Sequence, residues 1–232
     1  MTNIINPSDR FTQSDFFDGI EKKEQSEILC SGHRHLFQLG DTLFREGEPA
    51  IQCYLVLKGC LKLSKLHEDG KEVIVRYINS GEMTALISVF QGKNYPATAQ
   101  IVDSAEVVGW KREIMMKLIT THSQLFINIL RSVVDRLDDI QNRYLELCAE
   151  RVEQRIARTI LRIMKKSGRK TDEGVLIDIR LSRQDLADYT GTTLYTVSRT
   201  LSSWEKKGWI ASTRERIVVA NPHALVTFAQ II

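Results

Sequence analysis

The nine residues "TLYTVSRTL", 193 to 201, begin with a hydroxyl, continue with apolar residues spaced like one face of a helix, and direct Arg199 off the other face. A guanidinium placed that way offers rigid N–H donors to a planar acceptor, so its use depends on what holds the helix and where the chain carries its charge. Just upstream, "LSRQDLADYTGT" sets Ser182, Arg183 and Gln184 ahead of an apolar run, and Ser182 with Asp185 three positions on reads as an N-cap. Other reactive side chains are scattered. Cys30, Cys53, Cys60 and Cys148 form no C-x-x-C pair, which predicts buried reduced thiols rather than a disulfide frame or a structural zinc site. "CSGHRH" gathers Cys30, His33 and His35 but supplies no fourth ligand, so no metal site is assigned. No P-loop, G-x-S-x-G or H-E-x-x-H occurs, and no catalytic residue is assigned; the chain does not read as an enzyme.

Two helices must position these residues. Ser182 starts the first and Gly191 ends it; Thr192 or Thr193 caps a second that runs to about Gly208. Ala187, Gly191 and Val197 then fall at gaps of 4 and 6, the helix-turn-helix spacing. The small residue lets the helices approach, the glycine makes the turn, and the branched residue locks the second helix onto the first. After Gly208, "WIASTRERIVVA" holds a turn between two short apolar runs and reads as a wing hairpin. Charge follows the same division. Residues 151–232 hold 15 Lys or Arg against 8 Asp or Glu, a balance of +7, whereas the first 150 residues, with 17 against 21, carry −4. The C-terminal part is the one suited to a negatively charged partner.

Upstream of this lies a different pattern. Gly40, Gly47, Gly59, Gly70 and Gly81 recur at intervals of 7, 12, 11 and 11, with alternating apolar runs such as Leu61, Leu63 and Val73, Val75, Tyr77 between them. Short strands at that spacing predict an antiparallel roll, with "HEDGK" as a hairpin turn in which Asp69 and Gly70 are the pair that tolerates positive φ. "KEQSEILCSG" predicts a short helix before it. From about Ile114 the period changes to 3.6, and one stripe runs Phe126, Leu130, Val133, Leu137, Ile140, Tyr144, Leu147 at gaps of 4, 3, 4, 3, 4, 3. Either it packs on its own roll or it is the seam of a two-helix homodimer; flanking "DRLDD" and "QNR" favour the homodimer. The predicted architecture is α+β: an antiparallel roll over 1–113, a dimerisation helix over 114–150 and a winged helix-turn-helix over 151–232. At 43% hydrophobic residues the chain can bury a core, and with neither a transmembrane run nor a leader visible its expected location is the cytoplasm.

"GDTLFREGEPAIQCYLVLKGCLKL", "SGEM", "RIARTILRI" and "LSRQDLADYTGTTLYTVSRTLSSWEKKGWI" together resemble the Crp/Fnr superfamily of bacterial transcription regulators over most of the chain. The resemblance implies a cyclic-nucleotide-binding-domain-like jelly roll, and double-stranded DNA with a pseudo-palindromic operator, a second copy of the chain and RNA polymerase as partners, with no membrane. It implies that Arg199, after Ser198, reads guanine O6 and N7 in the major groove, that Thr193 and Tyr195 lie beside it, and that Ser182, Arg183 and Gln184 contact phosphates. Two departures change the expectation. Tyr195 stands where the family often has a Glu, so the familiar half-site does not carry over. The effector segment is the other: Glu82, Met83, Tyr95, Ala97, Ile140 and Gln141 are the candidate pocket residues, but "KNYPATAQ" has no Arg for a cyclic phosphate and Ile140–Gln141 replaces a Thr-Ser pair. Cyclic AMP is therefore not expected, and Glu82 is expected to serve a turn.

The spacing for an iron-sulfur cluster is also missing. "NYPATAQ" is similar to a stretch of the nitric-oxide-responsive, haem-dependent branch, which leaves haem open, with His33, His35, His67 and His122 as available ligands. The expected function is a homodimeric DNA-binding regulator controlled by a small molecule, gas or redox effector. The alternative is a ligand-binding signalling module that regulates a partner protein; a steep salt dependence of DNA binding separates the two.

Overall fold

The computed structural model describes residues 14–213 and 215–230. The described residues divide into two compact units, one of 14–65 and 77–139, the other of 66–76 and 140–230. The roll comprises the predicted helix, α1 (Lys22–Cys30), and the strands β1 (His33–Phe37), β2 (Thr42–Phe44), β3 (Gln52–Leu66), β4 (Glu72–Asn79), β5 (Met83–Thr84) and β6 (Thr98–Lys111), with α2 (Leu86–Gln91) between the last two; all lie in the first unit except the β3–β4 turn and residues 72–76 of β4, which fall in the 66–76 stretch. The sheet order is β1-β6-β3-β4, with β2 added on β6 and β5 on β3. Alternation along β3 and β6 sends Val56, Leu61, Ala99, Ile101 and Val107 into one cluster with Phe44, Tyr54 and Tyr95. A second cluster joins Leu55, Met83, Val108 and Trp110 to Phe16, Ile28 and Met115. Trp110 is fully buried, and its indole N–H is shared by the Ile28 carbonyl and the Ser31 hydroxyl, each at 3.1 Å.

Two turns differ from expectation. Gly59 lies within the 15-residue β3 rather than between strands, at register shifts against β6, with φ +86°. A Cβ there would fall 2.3 Å from the Ser104 carbonyl oxygen, so the bulge requires glycine. In the β3–β4 turn Gly70 alone takes positive φ, at +78°; the His67 N–H bonds Lys71 O, and Asp69 stays on the ordinary side. A three-residue loop with glycine at its end does the work assigned to an Asp-Gly pair. The thiols differ as well. Cys53 and Cys60 are buried, and burial pushes the Cys53 thiol up to about 12, but Cys30 and Cys148 are exposed at the ends of their helices.

The helical stretch after Ile114 is two helices, α3 (Arg112–Thr121) and α4 (Ser123–Ala149). They break at His122, whose ring nitrogen lies 3.2 Å from Glu24. Leu125 and Ile129 of α4 belong to the Trp110 cluster, and between them Asn128, 2% exposed, donates to the carbonyls of Phe16 (3.1 Å) and Asp18 (2.7 Å). The predicted stripe faces elsewhere. Phe126, Leu130, Leu137, Ile140, Tyr144 and Leu147 are half or more exposed, and Val133 is half-buried, so the stripe is largely uncovered in the single chain. Replacing Asn128 with Leu keeps the number of heavy atoms but strands two carbonyls, and should lower unfolding stability by about 1 to 3 kcal/mol, read as a lower urea midpoint at unchanged slope.

The second unit continues from Ile140 through α5 (Val152–Ser167), the hairpin β7 (Gly168–Thr171) and β8 (Gly174–Ile177), α6 (Arg183–Thr190), α7 (Leu194–Lys206), β9 (Ile210–Ser212), β10 (Ile217–Val219) and α8 (Pro222–Gln230). Its strands form one antiparallel sheet, β7-β8-β10-β9. Ile156, Ile160, Val197, Leu201, Trp204 and Leu225 are its buried helix faces. No described helix is long and apolar enough to cross a membrane.

Candidate nucleic-acid interface

The first helix of the pair, α6, starts at a reciprocal cap. Ser182 Oγ accepts from the Asp185 N–H at 3.0 Å, and the Asp185 carboxylate accepts from the Ser182 N–H at 2.9 Å. It ends at Gly191, φ +67°, a left-handed C-cap that only glycine adopts without strain. Thr193 caps α7 by accepting the Thr196 N–H at 3.2 Å. Ala187 and Val197 are both fully buried at the crossing, as their spacing predicts. Along α7, Val197, Thr200, Leu201 and Trp204 repeat at helical spacing and are buried, and Trp204 meets Phe228 edge-on with centroids 5.6 Å apart.

That buried face fixes the other one. Tyr195 is 74% exposed and the Arg199 side chain 64%, with Ser198 half-buried beside it and Thr193 exposed at the helix start. Beyond α7, β9 and β10 pair from Ile217↔Ser212 to Val219↔Ile210 and form the predicted wing. The result is a rigid helix presenting a guanidinium, a phenol and small hydroxyls next to a hairpin, on the unit that carries the basic surplus. Such a surface fits the major groove and the backbone beside it.

The three residues assigned to phosphates are each engaged within the unit. Ser182 Oγ also donates to Asp185 at 2.6 Å, and Gln184 donates to Asp188 at 2.8 Å. Arg183 donates to Glu205 (3.3 Å) and Ser212 (3.1 Å), tying α6 to α7 and the first wing strand. Glu205 and Ser212 are 22 and 29 residues away in sequence, too far for local spacing to reveal.

The candidate effector residues of the roll lie in two clusters. Glu82 closes the turn before β5 by accepting the Asn79 N–H at 2.9 Å. Met83 belongs to the Trp110 cluster, whereas Tyr95 lies in the Phe44 cluster, stacked on Phe44 at 4.1 Å and donating to Gln52 O at 2.8 Å. Burial raises the pKa of Tyr95 and of neighbouring Tyr54, so both phenols stay neutral donors. Ala97 is buried, and Ile140 and Gln141 are exposed on α4 in the second unit. Sequence reasoning missed Arg136, which reaches the Met83 carbonyl from α4 and brings a cation beside the Glu82–Met83 segment. His33 and His35 lie on β1, His67 in the β3–β4 turn against Asp69, and His122 against Glu24. Among the described residues no three His, Cys, Asp or Glu side chains are grouped to hold a metal ion, and that includes Cys30, His33 and His35.

Comparisons with known proteins agree with this division. Residues 34–122 match the cyclic nucleotide-binding domain family, and residues 154–228 match the Crp-like helix-turn-helix domain family. A global nitrogen regulator of Synechococcus elongatus is 28% identical over 193 residues, 82% of this chain and 86% of that protein. A CRP-like cAMP-activated global transcriptional regulator of Mycobacterium tuberculosis is 22% identical over 92% of this chain and 96% of its own length. The solved structure of FixK2 from Bradyrhizobium japonicum superposes with a TM-score of 0.74 at 24% identity, covering 87% of this chain and 98% of that one, and shares the fold.

Proposed function

Because the chain belongs to the Crp/Fnr superfamily and is a transcription regulator with a helix-turn-helix DNA-binding domain, we propose that it acts as a homodimer whose operator choice rests on Arg199 and whose activity answers to an effector other than cyclic AMP. The observation that carries the reading is the exposed Arg199 guanidinium on α7, held outward by the buried Ala187–Val197 crossing and the Gly191 turn. In this reading two copies pair along the exposed α4 stripe, and their two-fold axis becomes the axis of a pseudo-palindromic operator. The recognition helices then reach half-sites roughly 34 to 36 Å apart, one helical turn of DNA. An effector at the roll shifts how the paired helices sit, and with it that spacing. RNA polymerase is the partner through which binding would reach transcription.

A randomised-operator selection on the full chain tests this. It should enrich paired half-sites, each with a guanine, and binding should weaken steeply as salt rises. An unenriched pool would overturn the reading and favour a protein partner for the C-terminal domain.

The effector is approached from two sides. The missing Arg in "KNYPATAQ" speaks against a cyclic phosphate, and in this reading Glu82 serves the turn at Asn79 and Arg136 the Met83 carbonyl. Calorimetry with cyclic AMP should show no micromolar binding; micromolar affinity coupled to tighter operator binding would refute this. An absorption spectrum of protein purified without oxygen distinguishes a Soret band, and hence haem, from a featureless spectrum that points to an organic ligand or thiol chemistry.

A further inference from the structure

Arg199 does not face the DNA side alone. Glu153, in the first turn of α5, brings a carboxylate oxygen to 3.7 Å from Arg199 Nη2. A negative charge in that place runs against its surroundings, because residues 151–232 carry +7 overall and the surface must approach a polyanion. Stability does not account for it: with side chains 64% and 37% exposed, the ion pair contributes little to folding.

We propose that Glu153 is a positioning residue that sets DNA specificity by keeping Arg199 aimed at base edges and making its use on phosphates unfavourable. This rests on the reading that Arg199 contacts guanine. A guanidinium has five N–H donors, and the guanine edge takes two of them, so the carboxylate can keep its contact when Arg199 reads a base. On DNA without the operator, the guanidinium gains most by turning to the nearest phosphate. It must then leave Glu153, whose charge is left facing phosphates with no partner. The carboxylate therefore disfavours the non-specific complex more than the specific one. Total affinity falls, and the ratio between operator and random DNA rises.

The test is Glu153→Gln in the full chain, which keeps shape and removes charge, measured on the operator and on a scrambled duplex across a salt series. Binding to scrambled DNA should tighten about tenfold, with its salt slope steeper by about 1, while operator affinity changes less than about threefold. Equal tightening on both duplexes would overturn the proposal, leaving Glu153 as a uniform repeller, and so would no change on either. The same substitution in an Arg199→Ala background should leave the ratio unaltered; a ratio that still falls would mean that Glu153 acts without Arg199, and the proposal fails. If Arg199→Ala by itself retains the operator's guanine preference, the base-reading assignment fails first and the proposal with it.

Discussion

Arg199→Ala should erase the preference for guanine at one base pair of each half-site while weakening binding to random DNA far less. The side chain is exposed on a helix whose opposite face is fully buried, so its removal costs no packing and the effect is confined to recognition. Loss of two parallel donors to O6 and N7 should weaken operator binding by about 1 to 3 kcal/mol per half-site, roughly 5- to 150-fold, compounded over two half-sites. The companion variant Tyr195→Glu gains a carboxylate that accepts from cytosine N4, and should move the neighbouring position toward the half-site usual in the family. Both are read by repeating the randomised-operator selection. Recovery of the same guanine by Arg199→Ala would show that another residue reads it.

Leu137→Asp should give a monomer with little operator binding. Leu137 is 54% exposed in the single chain, near the middle of a stripe that α4 leaves uncovered. In a paired seam each copy would bury its Asp against the other, and two desolvated like charges at an axis disfavour association by several kcal/mol. A monomer still offers one recognition helix. It loses the effective concentration that the second half-site enjoys, and operator affinity should fall roughly 10²- to 10⁴-fold. Sedimentation and operator titration on the same samples check the two effects together, and an unchanged dimer would place the seam elsewhere.

What could be read from the sequence followed physical reach. Ser182 with Asp185, Gly191 and Thr193 act within a turn of their own position, so capping chemistry located both helices of the helix-turn-helix. The stripe on α4 was legible because helical period and exposure coincide there. Break points were harder. His122 interrupts the helical stretch without Gly or Pro to mark it, and Gly59, which looks like a strand end, is a bulge made necessary by Ser104 on β6. Long-range pairs were invisible. Arg183 meets Glu205 and Ser212, Arg136 meets Met83, and Arg199 meets Glu153 only after the chain has folded, and no spacing rule relates them.

Asn128 has a mechanical consequence. Its amide is keyed to two carbonyls of the segment at Phe16 and Asp18, and Arg131 adds an ion pair to Asp18 at 2.9 Å one turn further on. Turning α4 about its own axis by a single residue, about 100°, would withdraw that key and expose Leu125 and Ile129 while driving the wrong side chains into the roll. Residues up to Arg131 are thus held to that segment against rotation and sliding alike. A signal that leaves the roll along α4 would then travel as bending in the stretch after Arg131, and spin labels placed on either side of that residue would report a changed angle between the two stretches with the first unmoved.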